Sequence, residues 1–239
     1  MTANATKTVR ELAVELPNAA RVFEKLGVDY CCGGDIPFTK ACEKAGLDPD
    51  RVLASIQEAP AGPTPAQDWA IAPLAALARY IVEKHHSFTR TELARLEPLF
   101  SKVCVAHGDC HPELARMQEV FRALSAELQS HMMKEENILF PYLSAMEQAV
   151  LSGRPFPRPM FGTVRNPVRM MTLEHDSAGD ALGELRRESG NYSVPADACA
   201  SYSELYRSLQ AFEADLHTHI HLENNMLFPR ALAMEAAAA

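Results

Sequence analysis

A histidine followed four residues later by a glutamate occurs twice in nearly the same setting. HMMKEENILFP spans 131–141 and HIHLENNMLFP spans 219–229, 88 residues apart. On a helix, four residues turn through about 400°, so His131 and Glu135 point the same way one turn apart, as do His219 and Glu223. An imidazole and a carboxylate stacked on one helix face are half of a metal site, and two such halves on facing helices can make a whole one.

The helices that must carry these pairs show in the spacing of apolar residues. Four long helical patterns lie at about 71–104, 112–147, 167–188 and 196–235, with Pro112, Pro167 and Pro195 placed at helix starts. In the second, Leu124, Leu128, His131, Glu135, Ile138 and Tyr142 recur in steps of four and three. In the fourth, Phe212, Leu216, His219, Glu223 and Met226 do the same. The third carries Val168, Met171, His175, Ala178, Leu182 and Leu185, and the first Val82, His86, Thr89, Leu93 and Leu96. Such stripes face the interior of a four-helix bundle. Apart from Thr89, the polar residues on them are one histidine per stripe and a glutamate in two. His86 and His175 are 89 residues apart, matching the 88 between the two motifs, so the bundle reads as two similar helical hairpins.

Four histidines and two glutamates on inward faces would be a poor apolar core, because a buried carboxylate costs several kcal/mol (roughly) unless paired or coordinated. A metal uses those lone pairs. Two octahedral ions have twelve ligand positions. Four imidazoles, two bridging carboxylates and one oxo or hydroxo bridge supply ten and leave one open position per ion. Mixed nitrogen and oxygen ligation with open positions suits iron or manganese better than structural zinc. A ferritin-like reading fails: Glu83 and His86 have the Glu-x-x-His spacing, but Thr172 stands at the corresponding place before His175. Of the other histidines, His217 and His221 fall about 200° from His219 and are assigned to the outer, solvated face. His85 is placed off its stripe and exposed, and His111 in the loop before the second helix. His107 is left open between surface and a role orienting a ligand from behind.

Residues 1–58 carry a second feature, Asp29-Tyr30-Cys31-Cys32-Gly33-Gly34. Adjacent cysteines in a glycine-rich turn are candidate reactive thiols: a metal or cluster ligand pair, a persulfide or nitrosothiol site, or a vicinal disulfide. Around them the sequence predicts short helices from about Thr8 to Pro17, from Asn18 as N-cap to Gly27, and at 38–45 and 50–58. A Pro-rich linker at 59–67 separates this small helical domain from the bundle at 68–239. Cys42, Cys104, Cys110 and Cys199 have no recognised spacing and are assigned structural roles.

The bulk numbers bound the function. A net charge of −8 argues against a nucleic-acid surface. No apolar run is long enough to span a membrane. The N-terminus lacks the apolar core of a secretory signal, and six cysteines among 239 residues are too few for a disulfide scaffold, so a cytoplasmic protein with reduced thiols is expected. The fold class expected is all-α, an up-down-up-down bundle behind a small helical domain.

With both features in hand, the chain resembles the iron–sulfur cluster repair di-iron proteins, the repair of iron centres family. The resemblance rests on Asp29 to Gly34, on the two motifs beginning at His131 and His219, and on Glu174-His175-Asp176, and it covers nearly the whole chain. It implies a hemerythrin-like bundle with His86, His131, His175 and His219 as terminal ligands of two iron ions and Glu135 and Glu223 as bridges. His107 falls where such proteins also tend to carry a histidine. It implies repair of clusters damaged by nitric oxide or oxidants, with the di-iron site supplying iron and damaged iron–sulfur proteins as partners. Nitric oxide reduction or scavenging is the alternative. An oxygen carrier or sensor is a third reading, weakened because no fifth histidine lies on the stripes. A homodimer is left open.

Overall fold

The computed structural model describes residues 7–16, 18–60, 68–155 and 159–237. Most of the expected linker, 61–67, and Pro17 therefore lie outside the described residues. The N-terminal helices begin where their sequence offers caps. In α1 (Val9–Glu15) Thr8 and Glu11 form a reciprocal capping box: the Glu11 amide donates to Thr8 Oγ1 at 3.2 Å and the Thr8 amide to Glu11 Oε2 at 2.7 Å. α2 (Ala19–Leu26) ends on Gly27 at φ 69°, as the glycine predicted. Asn18, expected to cap it, instead donates its amide to the Ala59 carbonyl and ties the end of the segment to its start. α3 (Phe38–Lys44) and α4 (Pro49–Glu58) follow, the latter capped by Asp48 with Pro49 in its first turn. Val9, Leu12, Phe23, Phe38, Leu53 and Ile56 pack into a core of their own.

The four long patterns become four rods. The first is α5 (Leu74–Tyr80), a π-helical turn (Ile81–His86) and α6 (Ser87–His107). The second is α7 (Glu113–Lys134), a π turn (Glu135–Leu139) and α8 (Phe140–Leu151). The third is α9 (Arg165–Glu188), unbroken. The fourth is α10 (Ala200–Leu222), a π turn (Glu223–Leu227) and α11 (Phe228–Ala237). Pro195 thus precedes its helix by several residues rather than starting it. The rods run alternately up and down, with α6 against α7 and α10, and α7 against α9. Among the described residues there is no strand beyond one isolated bridge, Thr8 with Pro37. No described helix is long and apolar enough to cross a membrane.

The π turns correct the predicted stripes. Beyond Glu135 the inward positions are Leu139 and Leu143, both essentially inaccessible, while Ile138 is 53% exposed. Beyond Glu223, Leu227 is buried in place of Met226, and before His86 the buried residue is Ile81 rather than Val82. A π turn takes one extra residue and so shifts the face that follows by one. The motif's proline favours it: Pro141 and Pro229 have no amide hydrogen, so the regular ladder is already broken at Asn137 and Asn225.

The N-terminal segment is seated on the bundle at α9 and α10. Tyr30 lays its ring against those of His221 and His217 at centroid distances of 5.3 and 6.4 Å. Asn225 donates to the Tyr30 carbonyl at 2.8 Å and accepts from Arg10 Nε at 2.7 Å, and His217 pairs with Glu24 at 2.8 Å. His217 and His221 therefore do not face solvent. The helix side expected to be solvated is the docking face, and His221, packed away from water, has its pKa pushed down to about 4 by burial.

The docked turn is built around Asp29. Its carboxylate accepts the amides of Cys31 (3.1 Å), Cys32 (3.0 Å) and Gly33 (2.9 Å). The glycines are required by close approach: a Cβ at residue 33 would come within 2.8 Å of Asp29 Oδ2, and one at residue 34 within 3.2 Å of Arg10 and 3.1 Å of the Tyr30 carbonyl. Removing the acceptor with Asp29→Ala leaves three amides unsatisfied, and urea unfolding should show a loss of about 2 kcal/mol.

Candidate metal centre

The rods bring His86, His131, Glu135, His175, His219 and Glu223 to one place. That place lies between two apolar layers, one containing Leu93, Leu128, Ala178 and Leu216, the other Ile81, Leu139, Met171 and Leu227. All six are buried, both glutamates completely. Their ligand atoms fall into two groups that share the carboxylates. His86 and His219 with Glu135 and Glu223 form one group, and His131 and His175 with the same two glutamates form the other, every atom within 4.8 Å of its fellows.

Each inward nitrogen is aimed by what the outer nitrogen touches. Nδ1 of His86 donates to Glu136 at 2.6 Å, that of His131 to Glu174 at 2.9 Å, and that of His175 to Asn224 Oδ1 at 2.9 Å. This places the ring proton outside and leaves the Nε2 lone pair facing in. Arg90 and Lys134 hold Glu136 and Glu174 from the solvent side. None of these outer partners was assigned a role from the sequence, although the 88-residue offset relates Glu136 to Asn224 and so offers a signal. That offset also explains a difference between the two motif copies. Asn224 uses its oxygen for His175 and its nitrogen to donate to the Cys31 carbonyl at 3.1 Å. A glutamate, which only accepts, would leave one of those contacts unmade.

The inward atoms are left without ordinary partners. His86 Nε2 and His219 Nε2 stand 3.2 Å apart, as do His131 Nε2 and His175 Nε2. Both oxygens of Glu135 and Oε2 of Glu223 are buried without a hydrogen bond, although imidazole nitrogens approach them at 3.0–3.3 Å. Lone pairs converging at this distance in a dry interior repel unless a cation lies among them. The donor set fits a metal pair.

The electrostatics agree. Burial and their mutual repulsion oppose ionisation of the two carboxyls, and the surrounding imidazoles overcome both, so each glutamate is held below the usual carboxylate range. Burial lowers His131 less than Glu135 raises it, and its pKa is pushed up to about 10. For His219 burial wins and the pKa is lowered. Without metal, a proton on His131 balances the glutamates. A metal replaces it.

For His107 the open choice falls against a role behind a ligand, and for His85 the expected exposure fails. His107 sits at the end of α6, 21 residues and roughly 30 Å along the rod from His86, with its ring against Tyr202 and His111. It orients nothing in the cluster. Its neighbour is the exposed Cys199, whose thiol pKa falls to about 7 through a hydrogen bond with His107. His85, expected on the surface, is only 3% exposed.

The thiols of the turn lie beside the cluster. Cys31 and Cys32 are free, with their sulfurs 3.7 Å apart. Cys32 Sγ is 3.5 Å from the His175 carbonyl and close against Gly179. Both border a cavity of about 470 Å³ that also meets Asp29, Asp176, Asp180 and Arg186. The Cys32 sulfur and burial raise the Cys31 thiol well above the ordinary range, which keeps it protonated.

Four rods enclosing a buried, doubly shared histidine–glutamate cluster define a cation-binding bundle. A family model for the hemerythrin HHE cation binding domain matches residues 77–231, and a model for a domain of unknown function (DUF542) matches residues 5–60. The chain is 35% identical to the iron–sulfur cluster repair protein YtfE of Pectobacterium atrosepticum over 232 residues, 96% of this chain and 98% of the relative. It is 36% identical to the protein of that name from Musicola paradisiaca, again over 96% and 98%. With that of Escherichia coli O1:K1 it shares 35% over 94% and 96%. The chain belongs to this family of iron–sulfur cluster repair proteins.

Two measurements check this geometry. Ferrous iron at about a hundred times its dissociation constant should stabilise the chain by about 2.7 kcal/mol for each ion bound, and chelation should reverse the gain. Glu135→Leu should melt at the same temperature with and without metal. Separately, alkylation of Cys199 by iodoacetamide should rise through a midpoint near pH 7, and His107→Ala should move that midpoint up toward about 8.5.

Proposed function

We propose that this chain repairs damaged iron–sulfur clusters by supplying iron from a labile dinuclear centre, bridged by an oxo or hydroxo group. His86, His131, His175 and His219 are its terminal ligands and Glu135 and Glu223 its bridges. The observation that carries the reading is the sharing of both buried carboxylates between two histidine pairs. One ion would leave half of those oxygens unpaired, and two use them all.

The chain's own residues account for binding and for release. Outer contacts on His86, His131 and His175 hold the inward lone pairs in place before metal arrives, which lowers the cost of assembling the site. The iron supplies charge neutralisation while bound, and open coordination positions make it exchangeable. His131, which takes up a proton when no metal is present, gives the emptied site a stable resting form. The Cys31-Cys32 turn stands on the helix that carries His175, and Asn224 links the two by hydrogen bonds. Substrates of the reaction are iron–sulfur proteins that have lost iron. The relatives' name supports that class.

The iron-loaded chain, incubated without air with a dehydratase whose cluster has been damaged by nitric oxide, should restore its activity. The Glu135→Leu chain should restore less than about a tenth as much at equal protein. Equal recovery with Glu135→Leu, or recovery matched by the same amount of free ferrous iron, would sink the proposal. Nitrous oxide formed over many turnovers in the same vessel would favour nitric oxide reduction instead.

A further inference from the structure

Three of the four inward imidazoles have a hydrogen-bond acceptor behind them, and the fourth has none. His219 turns Nε2 toward the cluster, 3.0 Å from Glu223 and 3.2 Å from His86 Nε2. With that nitrogen committed inward, the ring proton belongs on Nδ1, which is buried and without a partner. A buried donor left unmade costs on the order of 1–3 kcal/mol and is rare.

The ring next to it has the opposite defect. His85 lies with its plane within 13° of that of His219, centroids 6.0 Å apart. Both oxygens of Asp215 lie 3.1 Å from His85 Nδ1, which fixes the proton there and makes Nε2 an acceptor. That Nε2 is also buried and unpartnered. The ring of Tyr80 packs at a steep angle to that of His85, centroids 5.6 Å apart. A donor without an acceptor thus stands beside an acceptor without a donor. The internal repeat points the same way. Glu174, immediately before His175, serves His131. His85, immediately before His86, occupies the matching position for His219.

We infer that His85, anchored by Asp215, is the positioning residue for His219, its Nε2 the acceptor for the His219 Nδ1–H, the part that Glu174 plays for His131. The two metal subsites then differ in what supports them. The His131–His175 pair leans on a carboxylate and an amide, and the His86–His219 pair on a carboxylate and an imidazole backed by Asp215. This rests on the dinuclear reading above. Without His85 the ring of His219 has no fixed tautomer, and the ion it holds leaves first.

The test uses the full chain loaded with ferrous iron without air. It follows iron per chain and the kinetics of release to a coloured ferrous chelator. His85→Phe keeps a ring between Tyr80 and His219 but cannot accept. His85→Gln offers a carbonyl that can. The His85→Phe trace should become biphasic, with one of two irons leaving about ten- to a hundredfold faster. His85→Gln should return it to the wild-type rate, while the metal-free forms of both variants melt together. Wild-type release by His85→Phe overturns the inference, as does equal acceleration of both irons or equal acceleration by both variants. If His85→Phe does not fold, His85→Leu takes its place with the same outcomes. A wild-type chain that takes up no iron sinks the dinuclear reading itself, and this inference with it.

Discussion

Two carboxylates sit in the middle of a helical bundle, wholly buried and with almost no hydrogen bonds, and the rest of the molecule is arranged around that fact. Glu135 and Glu223 are completely buried, and burying a charge in an apolar interior is among the costliest steps in folding. Four imidazoles surround them, and the outer contacts of three are chosen so that lone pairs converge. Apolar layers above and below close the site. The stable state of such a cluster contains a cation, and binding energy and folding energy become one quantity.

The backbone yields to the same constraint. In three of the four rods the helix widens into a π turn where it meets the site, at Ile81–His86, Glu135–Leu139 and Glu223–Leu227. In the second and fourth rods the widened turn presents a histidine and a glutamate inward and still returns the next apolar residue, Leu139 or Leu227, to the core; in the first it sets Ile81 and His86 on the inner face, while α9, which carries His175, runs unbroken.

The duplication also shows how one copy of a motif acquires a second task. Glu136 and Asn224 both accept from a ligand histidine. Only the asparagine has a donor left over, and it spends that donor on the Cys31 carbonyl. Asn225 and His221 extend the docking face to Tyr30. The copy with a glutamate at 136 turns it toward Arg90, and the copy with an asparagine at 224 holds the cysteine turn. Buried histidine at residue 221 is tolerated there because its hydrogen bond comes from Asn225 and its ring packs on Tyr30.

The sequence by itself determined the all-α class, the six converging side chains and the turn at Asp29–Gly34. Each depends on local spacing: a period near 3.6 on the rods, His and Glu one turn apart, glycines where a Cβ has no room. Only the tertiary structure decided the rest. Ile138 faces solvent because a π turn shifted the register, and no periodicity count from regular helices can see an inserted residue. His85 and His221 are buried and His217 is half-buried because partners reach them from other elements: Asp215 is 130 residues from His85, Tyr30 is 191 from His221, and Glu24 is 193 from His217. His107 is remote from the cluster for a related reason: sharing a helix with His86 says nothing of distance along it. Local pattern fixes which face a side chain takes, and only the packing of distant elements decides what covers that face.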